Sequence, residues 1–238
     1  MNSTATTTPE ELARPTIVSL AVVLQVRNGA LQALLWERAR EPDVHRWSLP
    51  GGYLLEPESL EQSIRRHLAS KVDVRELAHL EQLETLSEPD RQPEEWQIAA
   101  AYLGLVPADQ DPVLPPDTSW HPVGGLPPMA FDHAAVVRAG RDRLRAKLSY
   151  TNIGFAIAPP EFTLSELRDL YAAALGHRVS ATNLQRVLVR RGVLEPLERH
   201  RTSAASGGRP ARVYRFRTRR LAVTDPFAVL RPQGSGSR

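Results

Sequence analysis

The feature that most limits what this chain can form is a change of charge at a double proline. Residues 1–160 carry fifteen basic and twenty-one acidic side chains, a net of −6; from Glu161 onward there are fifteen arginines, no lysine and six acids, a net of +9. Pro159-Pro160 interrupts the backbone just before that change, because proline supplies no amide donor and restricts the residue before it. The pattern predicts an acidic body over residues 15–158 and a basic unit over 159–225, with tails at 1–14 and 226–238 expected to be mobile. A basic unit on an acidic body suggests a polyanion as the partner of the C-terminal part; a solvated arginine-rich surface is the alternative that charge alone leaves open.

Composition narrows the classes further. The chain has no cysteine, which excludes disulfides, thiolate zinc sites and thiol catalysis and agrees with a reducing cytosol. No apolar run approaches the roughly 18 residues that cross a bilayer, and the Thr-rich start has no basic segment followed by an apolar one, so a cytoplasmic protein is expected.

Along the body, β-rich runs at 16–25 and 31–36 flank Arg27-Asn28-Gly29, an Asn-Gly hairpin signal. Leu60, Ile64, Leu68 and Val72 recur every four residues and predict a helix over about 58–72 with one apolar face. Strands are expected at 77–86 and 96–106, a loop at 107–116, and a helix at 132–148. In the basic unit, Thr163 and Glu166 form a capping box that opens a helix ending near Leu175-Gly176. Ser180 is a suitable N-cap for a second helix over 181–191, closed by Gly192. Beyond it, residues 212–217 interleave arginine with apolar residues, as expected of a half-buried strand with a basic outer face. Helix, recognition helix and basic wing, in that order, make a winged helix-turn-helix layout.

The stretch Gly52 to Val74 resembles the Nudix box, with Gly52, Glu58, Arg66, Leu68 and Val74 on the expected positions after the lead-in Trp47-Ser48-Leu49-Pro50-Gly51-Gly52. Four positions depart from it: His67 stands where the box has a glutamate, Ser70-Lys71 replaces its Glu-Glu pair, and Asp73 its late glycine. Positions i, i+3 and i+4 share one helix face. In a Nudix enzyme that face presents carboxylates that hold a divalent cation, which needs anionic oxygen ligands. A lysine there repels a dication by several kcal/mol at about 4 Å and an effective dielectric near 20. One carboxylate, Glu58, does not assemble a two-metal clamp. No catalytic residue and no metal ligand are therefore assigned. Arg66 and Lys71 are instead expected to hold a pyrophosphate directly.

Taken together the two parts resemble the NrtR family, Nudix-related transcriptional regulators of NAD metabolism. The resemblance runs from about Thr16 to Phe216 and rests also on residues 130–133, 161–167 and 208–216. It implies an α+β protein: an N-terminal Nudix-type α/β/α domain that senses a nucleotide, and a C-terminal winged helix-turn-helix domain. It further implies a homodimer on palindromic operator DNA ahead of NAD biosynthesis or salvage genes, controlled by ADP-ribose or an NAD-related nucleotide, with no bound cofactor. The recognition segment Asn183-Leu184-Gln185-Arg186 departs from the family's usual Asn-Phe-Arg-Arg.

Within that frame Thr182, Asn183, Gln185, Arg186 and Arg190 are the candidates for base and phosphate contact, because Asn or Gln reads adenine and Arg reads guanine. A C-terminal turn that merely favours cations is the other reading of Arg190 and Arg191. Arg199, Arg201, Arg209 and Arg212 would serve the wing. For the effector the candidates are Arg38, Arg40, Trp47, Gly52, Glu58, Arg66, Lys71, Arg91 and His133. Trp47 is as well placed for core packing; Arg91 either reaches a partner subunit's nucleotide or is solvated; His133 is either a ligand contact or a satisfied helix-start histidine. Two rivals remain. A working pyrophosphohydrolase would need Glu56, Glu58 and Glu94 or Glu95 as ligands, and a nonspecific nucleic-acid binder would follow salt and ignore sequence.

Overall fold

A computed structural model describes residues 14–92, 95–201 and 210–225 of the 238. Of the expected tails at 1–14 and 226–238, all but Arg14 lies outside the described residues, as do Glu94 and Arg209.

The body is built on strand β1, Thr16–Arg27, which is buried along almost its whole length. Asn28 and Gly29, both in the left-handed region (φ 50° and 73°), turn it into β2, Ala30–Glu37, as an Asn-Gly hairpin requires. Three short elements follow: β3 (Trp47–Ser48) on β2, β4 (Gly51–Tyr53) on β1, and helix α1, Leu60–Lys71. Strand β5 (His79–Leu86) is antiparallel to β6 (Gln97–Leu105), β6 runs parallel to β1, and β7 (Thr118–Pro122) lies on β2. Helix α2, His133–Tyr150, closes the domain.

Alternation along β1 explains the layering. Ala21 and Val23 belong to an apolar cluster with Ile64 and Leu68 of α1 and its C-cap Val72, whereas Val22 and Leu24 belong to one with Val136, Val137 and Leu144 of α2. The sheet is thus covered on both faces. Gly140 brings α2 directly onto β1, since a Cβ there would lie 2.8 Å from Val22. Helix α1 begins at Leu60 rather than at Glu58, because Ser59 and Gln62 form a capping box that the apolar period does not reveal.

A 3₁₀ turn, Ile153–Ala156, leads to β8 (Phe162–Thr163), α3 (Leu164–Leu175), α4 (Ala181–Arg190), β9 (Leu194–Arg201) and β10 (Ala211–Phe216), with sheet order β8-β10-β9. The caps follow the local chemistry: Thr163 and Glu166 form their box, Gly176 closes α3 with φ 77°, and Ser180 caps α4. Strand β10 departs from strict alternation. A register shift between Arg212 and Tyr214 puts the buried Val213 and Phe216 three residues apart, as a bulge does.

The junction is packed. Residues Ile153 to Ala158 are all buried, and the apolar cluster under α2 continues through Phe155, Phe162, Leu167, Tyr171, Leu188 and Phe216. After β10 the chain returns to the end of α2: Thr224 and Asp225 donate backbone N–H bonds to the Tyr150 carbonyl, and Asn152 is bonded to residues 220 and 222. The double proline marks a change of charge on a shared core, not a loose linker.

Candidate effector cleft and nucleic-acid interface

A cleft of about 800 Å³ opens at one end of the body sheet, between α1, the loop after β2, the loop before β6 and the start of α2. It brings together Arg38, Arg40, Gly52, Arg66, Lys71, Arg91 and His133 of the expected effector residues. Trp47 and Glu58 are not among its lining. The Trp47 ring packs 4.2 Å from His121 and its backbone is tied to Pro128 and Ala130, which makes it a packing residue. Glu58 faces Arg66, at 2.5 and 3.0 Å, and accepts the Leu55 N–H. The arginine holds its carboxyl down to about 2, so it stays ionised and committed.

The box helix supplies the floor. Burial lowers the His67 imidazole below its usual range, and its Nε2–H donates to the Tyr53 carbonyl at 3.1 Å. Gly52 is required above it, because a Cβ there would lie 2.6 Å from the His67 ring. Lys71 Nζ sits 4.6 Å from the Trp36 ring centroid; burial, with Arg38 and Arg66 nearby, lowers its pKa. Ser70, also on this helix, is exposed and outside the lining.

Arg91 differs from both readings of it as a solvated or outward-reaching loop residue. Its side chain is only 5% exposed, and its Nε and Nη2 donate to the two Asp132 oxygens at 3.0 and 2.8 Å. Among the described residues its buried Nη1 has no hydrogen-bond partner. His133 combines its two readings. It lines the cleft, and its Nδ1 accepts the Leu49 N–H at 3.1 Å beside the Ser48 hydroxyl at 3.0 Å. An Nδ1 that accepts a backbone N–H leaves the ring proton on Nε2. Burial pushes this imidazole down to about 4, so it is neutral at physiological pH.

The second surface lies on α4. Leu184 and Leu188 are buried, while Thr182, Asn183, Gln185, Arg186 and Arg190 are exposed together on the opposite face. Arg186 donates to the Asn183 amide oxygen at 2.9 Å. Arg191 is drawn inward instead: its side chain is 8% exposed and donates to the Ser149 carbonyl and to Asp225. On the wing strands Arg199 meets Glu161, Arg201 meets Glu166 and Arg212 meets Glu198. Sequence reasoning did not single out Phe131 as a cleft residue, Asp132 as the partner of Arg91, or Arg145 and Arg191 as ties at the domain junction.

Comparison with known proteins agrees with this arrangement. Residues 17–140 match the NUDIX domain profile, and residues 154–216 match the NrtR DNA-binding winged helix domain. The chain is 31% identical over 201 residues to the ADPR responsive transcriptional repressor NtrR of Acinetobacter baylyi, covering 82% of this chain and 79% of the relative. The chain belongs to the NrtR family. The NrtR of Shewanella oneidensis, solved with a 27mer DNA, superposes with a TM-score of 0.71 at 29% identity, over 84% of this chain and 93% of that one. Its NUDIX domain, solved with ADP ribose, superposes with a TM-score of 0.51 at 29% identity, over 60% of this chain and 99% of that domain. The helix-turn-helix and wing thus belong to the segment matched by the DNA-binding winged helix domain, appended to a Nudix fold.

Proposed function

We propose that this NrtR protein represses transcription from operator DNA under the control of ADP-ribose, or a closely related nucleoside diphosphate, held in the cleft without metal. The observation that supports it most is Lys71: on the helix face where a Nudix enzyme presents carboxylates, an ammonium lies against Trp36, inside a cleft also lined by Arg38, Arg66 and Arg91. With Arg40, five cations line one cleft and suit a diphosphate, whose charge they meet in a partly dehydrated setting. The relatives' ADP-ribose response and DNA complex favour the same reading.

The divalent cation that the Nudix fold implies does not fit the residues here. Glu58 is committed to Arg66, His67 Nε2 carries its proton toward Tyr53, and Lys71 repels a dication. Glu95 borders the cleft but accepts from Thr16 and Gln97. The chain therefore binds its nucleotide and does not cleave it. In the cell we place it in the cytoplasm as a homodimer on a two-fold operator ahead of NAD genes, with its recognition helices about 34–36 Å apart, one DNA turn.

Titration calorimetry of the full chain with ADP-ribose tests this. Affinity should be the same with magnesium and with a chelator, and Lys71→Glu should lose about 100-fold or more through reversal of a charge beside the phosphates. AMP release near 1 s⁻¹ with magnesium, a rate ordinary for an enzyme, would overturn the sensor in favour of a pyrophosphohydrolase.

A further inference from the structure

Helix α2 begins in the cleft and ends under the DNA-reading helices. Its 18 residues cover about 27 Å at 1.5 Å per residue.

At its start, three consecutive residues are each held by the cleft wall. The Arg38 guanidinium lies 4.7 Å from the Phe131 ring centroid, and the Phe131 N–H donates to Asp43. Asp132 takes both Arg91 bonds, and His133 takes the Leu49 N–H. Phe131 has φ 52°, a conformation that a bulky aromatic adopts only under constraint. Asp132 occupies the N-cap position yet makes no side-chain cap bond. An aspartate there ordinarily accepts an N–H from the first helical turn; this one is turned to Arg91 instead. Arg91 in turn keeps a buried Nη1 without a partner among the described residues.

At the other end, α2 holds both helices of the helix-turn-helix. Arg145 Nε donates to the Ala174 carbonyl in the last turn of α3, and its guanidinium lies so close to Gly176 that a Cβ there would collide with it. Arg191, the C-cap of α4, donates to the Ser149 carbonyl in the last turn of α2.

We infer that α2 transmits the effector signal, and that the switch is a choice of partner for Asp132. This rests on the proposed diphosphate reading of the cleft. A diphosphate that draws on Arg38 and on Arg91, through its free Nη1, weakens their hold on Phe131 and Asp132. The negative charge also repels the Asp132 carboxylate toward the N–H groups of α2, where it caps the helix. The corner at Phe131 relaxes, α2 shifts, and Arg145 and the Ser149 carbonyl carry the shift to the two ends of the helix-turn-helix. Arg145 is a positioning residue: it touches neither nucleotide nor DNA.

Operator affinity of the full chain, measured by fluorescence anisotropy with and without ADP-ribose, reads the coupling. In wild type the two affinities should differ by between about 5- and 150-fold, the usual range for coupled sites. In Arg145→Gln that ratio should fall toward one, while ADP-ribose affinity by calorimetry stays at the wild-type value. Arg145→Lys, which keeps a cation at the end of α3, should retain most of the ratio. An Arg145→Gln protein that folds and keeps the full ratio sinks the inference. A measurement on wild type needs no variant: ADP-ribose should change amide hydrogen exchange at residues 131–135 and at 174–178 together. Changes confined to the cleft mean that α2 does not relay. If ADP-ribose does not bind the wild-type chain, the effector reading falls and this inference with it; binding with exchange changes only in the cleft removes this inference alone.

Discussion

The cleft and the winged-helix surface both collect cations, and they hold them in opposite ways. In the cleft Arg91 is 5% exposed and bidentate to Asp132, and Lys71 lies against an indole ring rather than an acid. On the winged helix Arg199 is 65% exposed, and it, Arg201 and Arg212 rest on acids of their own domain. Exposed pairs of that kind are worth about 0–1 kcal/mol and are given up readily when a phosphate arrives. A buried cation cannot be traded so easily, because its partner also compensates for its lost hydration. Changing a partner in the cleft therefore needs a ligand charge to compensate for it, whereas each surface pair is weak and replaceable. Acids near the wing are no obstacle to DNA; an acid lost from the cleft is a structural injury.

The sharpest way to break that contrast is to remove one acid from each region. Asp132→Ala strands a buried guanidinium and should destabilise the chain by about 3 kcal/mol, the lower end for breaking a buried pair because Asp132 itself keeps some solvent contact. Chemical denaturation measures it. Glu161→Ala, which frees exposed Arg199, should change stability by less than about 1 kcal/mol. Equal losses from the two would mean that burial does not distinguish the regions.

Protonation provides a second test of the cleft. His133 falls from 6.5 when unfolded to about 4 when folded. Over that window the unfolded chain binds the extra proton, so the contribution is complete above pH 6.5 and is lost as pH falls toward 4. Between about pH 7 and pH 5 the loss should reach about 2 kcal/mol. Side-chain NMR of His133 should show a neutral ring protonated on Nε2 at about pH 6; a ring that titrates near 6.5 would mean the corner at α2 is open to water. The window is separate from that of Glu58, whose stabilisation is present above 4.5 and is lost as pH falls toward about 2.

The same contrast explains what could be read from sequence. The Asn28-Gly29 hairpin, the Thr163–Glu166 box, the Gly176 stop and the Ser180 cap are legible because each depends on residues within a few positions of one another. The amphipathic α4 is equally local: Leu184 and Leu188 declare the buried side, and the polar face follows. The cleft is another matter. Arg91 and Asp132 are 41 residues apart and meet only because β6 and β7 intervene between their loops, so a loop arginine reads as solvated when it is buried. Glu58 has the right type and spacing for a box carboxylate, yet Arg66, eight residues on, engages it. Nor does a double proline say that the residues before it, Ile153 to Ala158, belong to a shared core; that follows from where the winged helix packs.

The last comparison lies within the winged helix, and it separates reading from holding. Arg186→Ala should weaken specific operator binding by about 1–3 kcal/mol and relax the preference at one base position, the outcome expected of an arginine that reads a base edge. Arg199→Ala, on the wing, should lower affinity by less than about 1 kcal/mol, about equally for specific and unrelated DNA, and should reduce the slope of log affinity against log salt by about one, as the loss of one phosphate contact does. Competition binding across a set of single-base operator variants, repeated at several salt concentrations, measures both. If Arg186→Ala also lowered affinity uniformly and shifted only the salt slope, α4 would be holding phosphates like the wing. Sequence would then have to be read by Asn183, Gln185 or the shape of the duplex, and the α4 face would join the wing as a surface of interchangeable charges.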